Sequence, residues 1–358
     1  MKKMIVRTII AILLVSIGYL VFTTFQAAGR RARGERMERI KASPRYIDGE
    51  FRNMEETPAI TGSKDAMRQL RQKVENLVPE RNVPVVKTDL HALDRSEEVV
   101  LWLGHSTVFI QSGGVRYLFD PVLTSKFPVK VFMKPFLGTD AYTPEDIPEV
   151  DYLIVTHDHW DHLDRPTVRA IRSRVGRVVC ALGIGQYFED WGYPVEKIDE
   201  LEWGDSVRIN ATTVLRCLPS RHFSGRLLRR NQTLWASYLI DGQRRIFVSG
   251  DGGYDSRFEQ FGMDYPGIDL AIMENGQYNE NWKYIHTMPD LLPKAIDELG
   301  PARVMTYHNS KFALARHPWT EPLDRILENS KGKPWRLLLP RIGEVVELDG
   351  SQEFVKWW

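Results

Sequence analysis

The stretch Thr156-His157-Asp158-His159-Trp160-Asp161-His162 constrains this chain more than any other. It follows the apolar run Tyr152-Leu153-Ile154-Val155, which reads as a buried strand. A tight loop leaving such a strand can aim several side chains at one point. His-x-His-x-Asp-His offers borderline nitrogen and hard oxygen donors, a mixture suited to one or two divalent cations. The competing reading is a polar surface turn. Three of the nine histidines of the chain fall in this one loop, in this order, which disfavours it.

At 358 residues the chain can hold one large or two ordinary domains, and 43% apolar residues suffice for a sizeable core. A net charge of +1 argues against a nucleic-acid binder built on global electrostatics. Cys180 and Cys217 sit in apolar, strand-like runs and make neither a disulfide framework nor a Cys-x-x-Cys site, so buried free thiols are expected. Thr8 to Phe25 is uncharged and mostly apolar, and Met4 to Val6 extend it past Arg7. About 18 to 20 such residues span a bilayer as a helix. A signal peptide would use Lys2, Lys3 and Arg7 as its charged region, but Phe25-Gln26-Ala27-Ala28 makes a poor cleavage site. Residues 1–28 are therefore expected to be an uncleaved single-pass anchor, in a bacterial inner membrane. Arg30, Arg31, Arg33, Arg36 and Arg39 after the helix outweigh the charges before it only slightly, a weak bias toward a cytoplasmic catalytic domain. The same arginines suit anionic headgroups.

Residues 29–95 read as a charged linker and peripheral segment, with helical spacing from Ala66 to Leu77. A separate domain is expected over 96–358, where short apolar strands recur between turns. They are read at 99–103, 107–110, 115–119, 177–181, 212–218, 234–240, 245–248, 269–273 and 303–306, with a final pair at 334–339 and 343–348. Asp164 caps a helix that carries Pro166 in its first turn and runs to about Arg174, and Met288 to Leu299 forms an amphipathic helix closed by Gly300. Strand-rich halves separated by helices predict a layered α/β sandwich rather than a doubly wound parallel sheet. More candidate ligands follow strands: His222, Asp251 in Ser249-Gly250-Asp251-Gly252-Gly253, and His308. Each alone is ordinary, since a lone His beside a strand is more often a satisfied core or surface residue and Asp in a Gly-rich turn usually serves the turn. As a set with the His loop they point to a metal site.

From Leu101 to His308 the chain resembles the metallo-β-lactamase-fold hydrolases. Within them it is similar to the branch of N-acylphosphatidylethanolamine-hydrolysing phospholipase D and its bacterial relatives. The resemblance rests on Trp102-Leu103-Gly104-His105-Ser106-Thr107-Val108, Phe119-Asp120-Pro121-Val122-Leu123 and the His loop. It continues in Pro219-Ser220-Arg221-His222-Phe223-Ser224, Asn231-Gln232-Thr233-Leu234-Trp235-Ala236-Ser237 and Ser249-Gly250-Asp251-Gly252-Gly253-Tyr254. It implies a four-layer αββα sandwich and two divalent ions, Zn2+ first and Mn2+ or Fe2+ as alternatives. His157, His159 and His222 would hold one ion; Asp161, His162 and His308 the other; Asp251 would bridge them. Asp158 falls at the variable position and is expected to orient a ligand or cap the loop. Asp120 and His105 are candidate partners for a ligand imidazole, His105 being equally readable as a structural histidine.

The resemblance further implies a phosphodiesterase of phospholipase D type, in which a metal-bridging hydroxide attacks phosphorus. Asp251 and His286 are its expected catalytic residues, His286 on the substrate side. Arg221, Arg226, Arg229 and Arg230 flank His222 and suit phosphate; Arg221 and Arg226, with His286, are taken as substrate-binding. A solvated basic loop is the plainer reading of them. Phe127, Val129, Val131, Phe132, Met133, Phe136 and Leu137 would receive acyl chains as a flap, or pack in the core or a homodimer contact. The expected partners are thus a lipid or phosphodiester substrate and the membrane. One departure is Gly252, where the phospholipase relatives commonly carry Thr. The alternatives are a lactonase, amidase or other acyl hydrolase on the same scaffold, and an iron oxygenase, which the complete second ligand set disfavours.

Overall fold

A computed structural model of the chain describes residues 2–62, 73–124 and 133–358. The apolar runs between turns pair into two seven-stranded sheets. Across the first, the strands lie in the order Val345–Glu347, Val99–Trp102, Val108–Ser112, Val115–Phe119, Val150–Val155, Val175–Ala181, Ile198–Leu201. The first four are antiparallel neighbours, with Gly113-Gly114 as one hairpin turn, and the rest continue in parallel. The second sheet runs Arg336–Leu338, Arg303–Tyr307, Leu270–Glu274, Arg245–Val248, Ala236–Asp241, Val214–Pro219, Ser206–Arg208. Here the first four are parallel and the remaining three antiparallel.

The period-two alternation of strand side chains splits each sheet between two packing faces. Leu239, Phe247, Ala271, Met273 and Val304 meet the helices Arg257–Asp264, Leu292–Leu299 and Glu321–Asn329. Tyr238, Ile240, Ile246, Val248, Ile272 and Met305 instead join the residues of the first sheet. The helices Arg165–Ile171 and Gly185–Asp190 add Val168, Ile171 and Phe188 to that cluster. The result is the four-layer αββα sandwich that the resemblance implies.

Local signals set the helix ends. The Asp164 side chain accepts from Thr167 N, and the three residues Arg172–Arg174 tighten into a 3-10 turn, so the α-helix stops at Ile171. The amphipathic helix begins at Leu292, not Met288, because Pro293 lacks an N–H and is tolerated only in the first turn. Gly300 ends it at φ 65°.

The N-terminal helix Lys2–Ala28 is 27 residues long, and an 18-residue stretch within Ile5–Ala28 has a mean hydropathy of 2.4. It is long and apolar enough to cross a membrane, a property that a signal sequence shares. The segment expected as a charged linker is instead fastened to the sandwich. The helix Gly34–Ala42 buries Ile40, and Arg36 Nε donates to Glu200 at 2.5 Å. The hairpin Tyr46–Ile47/Glu50–Phe51 buries Phe51, whose N donates to Asn231 O at 2.8 Å. Of the arginines that suit anionic headgroups in sequence, Arg30 pairs with Asp190 and Arg36 with Glu189 and Glu200, partners too distant along the chain to be anticipated. Most of the helix expected from Ala66 to Leu77 lies outside the described residues, and 73–77 is not helical. Phe127 to Phe132 also lie outside them; Met133 and Phe136 are buried and Leu137 is exposed.

Candidate metal centre

The parallel strands of both sheets end at one edge, and the segments leaving them supply the polar side chains. Val150–Val155 leads into the His loop, Arg245–Val248 into Asp251, Arg303–Tyr307 into His308, and Val214–Pro219 into His222. Sharp turns make this possible. Asp120, His105 and His308 hold φ values of 43°, 50° and 66°, a region that non-glycine residues rarely occupy and that clusters at functional sites. Gly250 sits at φ 61°, where a Cβ would lie 2.6 Å from Ala236 O.

The side chains meet in two groups that take in every expected ligand, and Asp251, His286 and His308 form a third set overlapping both. His157, His159, His222 and Asp251 have ligand atoms within 4.8 Å of one another, as do His105, Asp161, His162 and His308. Asp251 stands between them: its Oδ2 is 3.2 Å from Nε2 of His162 and of His308, and 3.8 Å from Nε2 of His157 and of His222. Its Oδ1 is buried without a hydrogen-bond partner among the described residues.

The hydrogen bonds around the cluster fix which nitrogens carry lone pairs. His222 Nδ1 donates to Ile285 O at 2.7 Å, and His162 Nδ1 donates to Asp120 Oδ2 at 2.8 Å. Thr156 Oγ1 donates to Asp120 Oδ2 at 2.7 Å and accepts from His157 Nδ1 at 3.0 Å. The Nε2 lone pairs of these three rings are thereby turned inward. Those of His157 and His222 point at His159 Nδ1 from 2.9 and 3.2 Å. Converging lone pairs repel one another unless a cation lies between them, so this donor set fits bound divalent ions.

The electrostatics agree. Burial pushes His157 and His222 well down, His159 to about 4 and His105 to about 3, which keeps these imidazoles in the neutral, ligating form. Burial alone would raise Asp161 and Asp251, but the facing imidazoles, His162 foremost, hold both well below the usual carboxylate range. Against its own burial, His162 is raised by Asp251, Asp161 and Asp120; a metal ion would supply the positive charge in place of its proton.

The supporting residues fall into place unevenly. His105 Nε2 is 2.9 Å from Asp161 Oδ2, and Asp158 turns away to accept from Tyr187 Oη and Gly225 N. Glu274, which the sequence reading missed, ends an entirely buried strand. Its Oε1 is 2.5 Å from His286 Nδ1 and its Oε2 accepts from Gly252 N. Burial raises Glu274; burial also opposes charge on His286, but the carboxylates of Glu274, Asp251 and Asp161 together raise it. A carboxylate closing the run Leu270-Ala271-Ile272-Met273 was the available signal. Asn53 was missed too; its Oδ1 accepts from His222 N and its Nδ2 donates to His222 O.

Arg221 and Arg226 do not join the site. Arg221 donates to Thr57 Oγ1, Glu56 O and Tyr254 O, tying the N-terminal segment down. Arg226 is buried, stacks 3.8 Å over Trp160, and donates to Asp158 O, Leu163 O and Ala27 O. Backbone carbonyls therefore occupy both guanidinium groups, and the expected phosphate contact is corrected for these two. Arg230 does reach the site. It lines a cleft of about 340 Å³ together with His159, Asp161, Asp251, His286 and His308. Apolar Ile60, Phe223, Trp282, Ile285 and Leu314 line the same cleft.

Comparison with known proteins agrees with this geometry. Residues 115–309 match the Beta-lactamase superfamily domain. An uncharacterized protein of Mycobacterium tuberculosis is 33% identical over 326 residues, covering 88% of this chain and 87% of its own length. N-acyl-phosphatidylethanolamine-hydrolyzing phospholipase D 1 of Caenorhabditis elegans is 30% identical over 238 residues, 62% of this chain and 65% of that one. The structure of CmlA, a diiron beta-hydroxylase from Streptomyces venezuelae, shares the fold with a TM-score of 0.54 at 21% identity, over 70% of this chain and 54% of that one. With the sandwich, the histidine and carboxylate cluster at its edge and the domain match in agreement, the chain belongs to the beta-lactamase superfamily and is a metal-dependent hydrolase of the metallo-β-lactamase fold.

Proposed function

We propose that this hydrolase is a membrane-anchored dinuclear phosphodiesterase of phospholipase D type, acting on N-acylphosphatidylethanolamine-like lipids. The observation that carries the reading is the cleft, which histidines and carboxylates line together with apolar side chains and Arg230. A diester headgroup and an acyl chain need those two environments side by side. The named activity of the Caenorhabditis relative supports the same substrate class.

His157, His159 and His222 would hold one ion, Asp161, His162 and His308 the other, with Asp251 shared; Zn2+ suits the set. Bound there, divalent ions would supply an acidified water as nucleophile and positive charge to offset that on the phosphoryl oxygens. His286, backed by Glu274, keeps a proton at Nε2 facing the cleft, available to the leaving oxygen. Arg230 presents its guanidinium to a phosphate oxygen. Asp120 fixes the tautomer of His162, and Asn53 fixes the backbone of His222.

The uncleaved anchor is supported by what holds the end of the N-terminal helix. Trp191 Nε1 donates to Gln26 O and Arg226 to Ala27 O, and Ala27 and Ala28 are buried. Cleavage there would leave buried donors without partners.

The test is hydrolysis of headgroup-labelled N-acylphosphatidylethanolamine and a bis-aryl phosphodiester by metal-analysed protein and its Asp251→Ala variant. Two metals per chain and release of phosphatidic acid that is lost in Asp251→Ala are expected. A metal-loaded wild type that cleaves neither substrate would turn the reading to a lactonase or other acyl hydrolase. A wild type that binds no metal after reconstitution would remove its basis.

A further inference from the structure

A two-residue hairpin turn ordinarily takes Asn-Gly or a similar pair, because its residues must adopt positive φ. This chain places Leu227-Leu228 at such a turn, between Gly225–Arg226 and Arg229–Arg230. Leu227 holds φ 56°, which is strained for a leucine. Neither side chain recovers that strain by packing: Leu227 is 45% exposed and Leu228 fully so. Folding therefore gives no reason for these leucines, and a glycine would serve the turn better.

The surroundings of the hairpin say what the leucines meet. Its base is pinned by buried Arg226, which reaches both the metal loop and Ala27 O at the end of the apolar helix. Arg229 Nη2 donates to Gly29 O at 2.8 Å, one step further along the same junction. The tip thus stands beside the point where the membrane-length helix joins the domain. Exposed Arg230 follows the tip; Arg30 and Arg31, just after the junction, are exposed too, Arg30 being paired with Asp190 and Arg31 bonded to Tyr46 Oη. Apolar side chains at a tip with arginines behind them match the layering of a bilayer surface, acyl chains first and phosphates above.

We infer that the Leu227-Leu228 hairpin is a second membrane contact. It enters the interface of an anionic phospholipid bilayer next to the N-terminal helix, with Arg229 and Arg230 at the level of the phosphates. Because Arg230 also lines the cleft, this contact sets the cleft against the lipid surface. The inference rests on the helix lying in a bilayer and not on which bond is cleaved.

The test uses the full chain in vesicles of phosphatidylcholine with added phosphatidylglycerol. Leu228→Cys carries an environment-sensitive fluorophore, and Lys331→Cys, an exposed position beyond the helix Glu321–Asn329, is the control. Both native cysteines are buried, so labelling is confined to the introduced one. The Leu228 label should show blue-shifted emission and about tenfold less quenching by aqueous acrylamide than the control, as an interfacial side chain does. Quenching equal to that of the control would overturn the contact. Protection equal in pure phosphatidylcholine would overturn the part assigned to the arginines. Protection that arises in detergent without lipid and grows with protein concentration would assign the tip to a second copy of the chain. The label reads position whether or not any lipid is hydrolysed, so its failure is distinct from failure of the phosphodiesterase reading.

Discussion

Ser220 Oγ fills the space that a side chain at position 252 would need. A Cβ on Gly252 would lie 2.5 Å from it. The same hydroxyl donates to Asp251 O at 2.5 Å, so the group beside Asp251 comes from the end of Val214–Pro219, two strands away, where the resembling phospholipases carry Thr at 252 itself. The two positions should compete. Gly252→Thr alone is expected to destabilise by about 1–3 kcal/mol, as overpacking does. Adding Ser220→Gly should restore most of that loss, and denaturant unfolding of both single variants and the double would measure the coupling. Additive effects would show that the sites are independent. Competition of this kind is invisible in sequence because positions 220 and 252 meet only through the fold. The histidines and carboxylates of the metal cluster were legible for the opposite reason: ligand chemistry restricts the residue types, and the spacing within the His loop brings four of them together before any tertiary contact forms.

Among the elements, strands were read better than their surroundings. A buried strand such as Leu270–Glu274 needs a run of apolar residues, which survives in sequence whatever it packs against. The fastening of residues 29–62 depends instead on long-range pairs such as Arg36 with Glu200, whose members look like ordinary surface charges when read singly. Arg226 is the clearest case. Its sequence context suggested a phosphate ligand, yet it joins the hairpin Gly225–Arg230, the metal loop and the N-terminal helix. Arg226→Ala leaves three buried carbonyls without donors, at about 1 kcal/mol or more each, so a loss of roughly 2–4 kcal/mol is expected. Chemical denaturation would register it. A neutral outcome would mean that water replaces the guanidinium at no cost.

At the scale of the whole molecule, the metal cluster joins segments from both sheets, so ion binding should resist their separation. A ligand at a hundredfold excess over its dissociation constant adds about 2.7 kcal/mol to stability, which corresponds to roughly 4–5 °C in Tm for a domain of this size. Chelation should lower Tm by that amount and zinc should restore it, as read by calorimetry; an unchanged Tm would mean that the cluster binds too weakly to couple the sheets. The topology also carries a consequence in time. Val345–Glu347 borders Val99–Trp102 in the first sheet, although the ribosome makes it long afterwards. The apolar helix is made before either strand. The first sheet therefore lacks one edge for as long as residues 103–344 are being synthesised. An enzyme assembled in this order cannot close that sheet until every expected metal ligand has already left the ribosome.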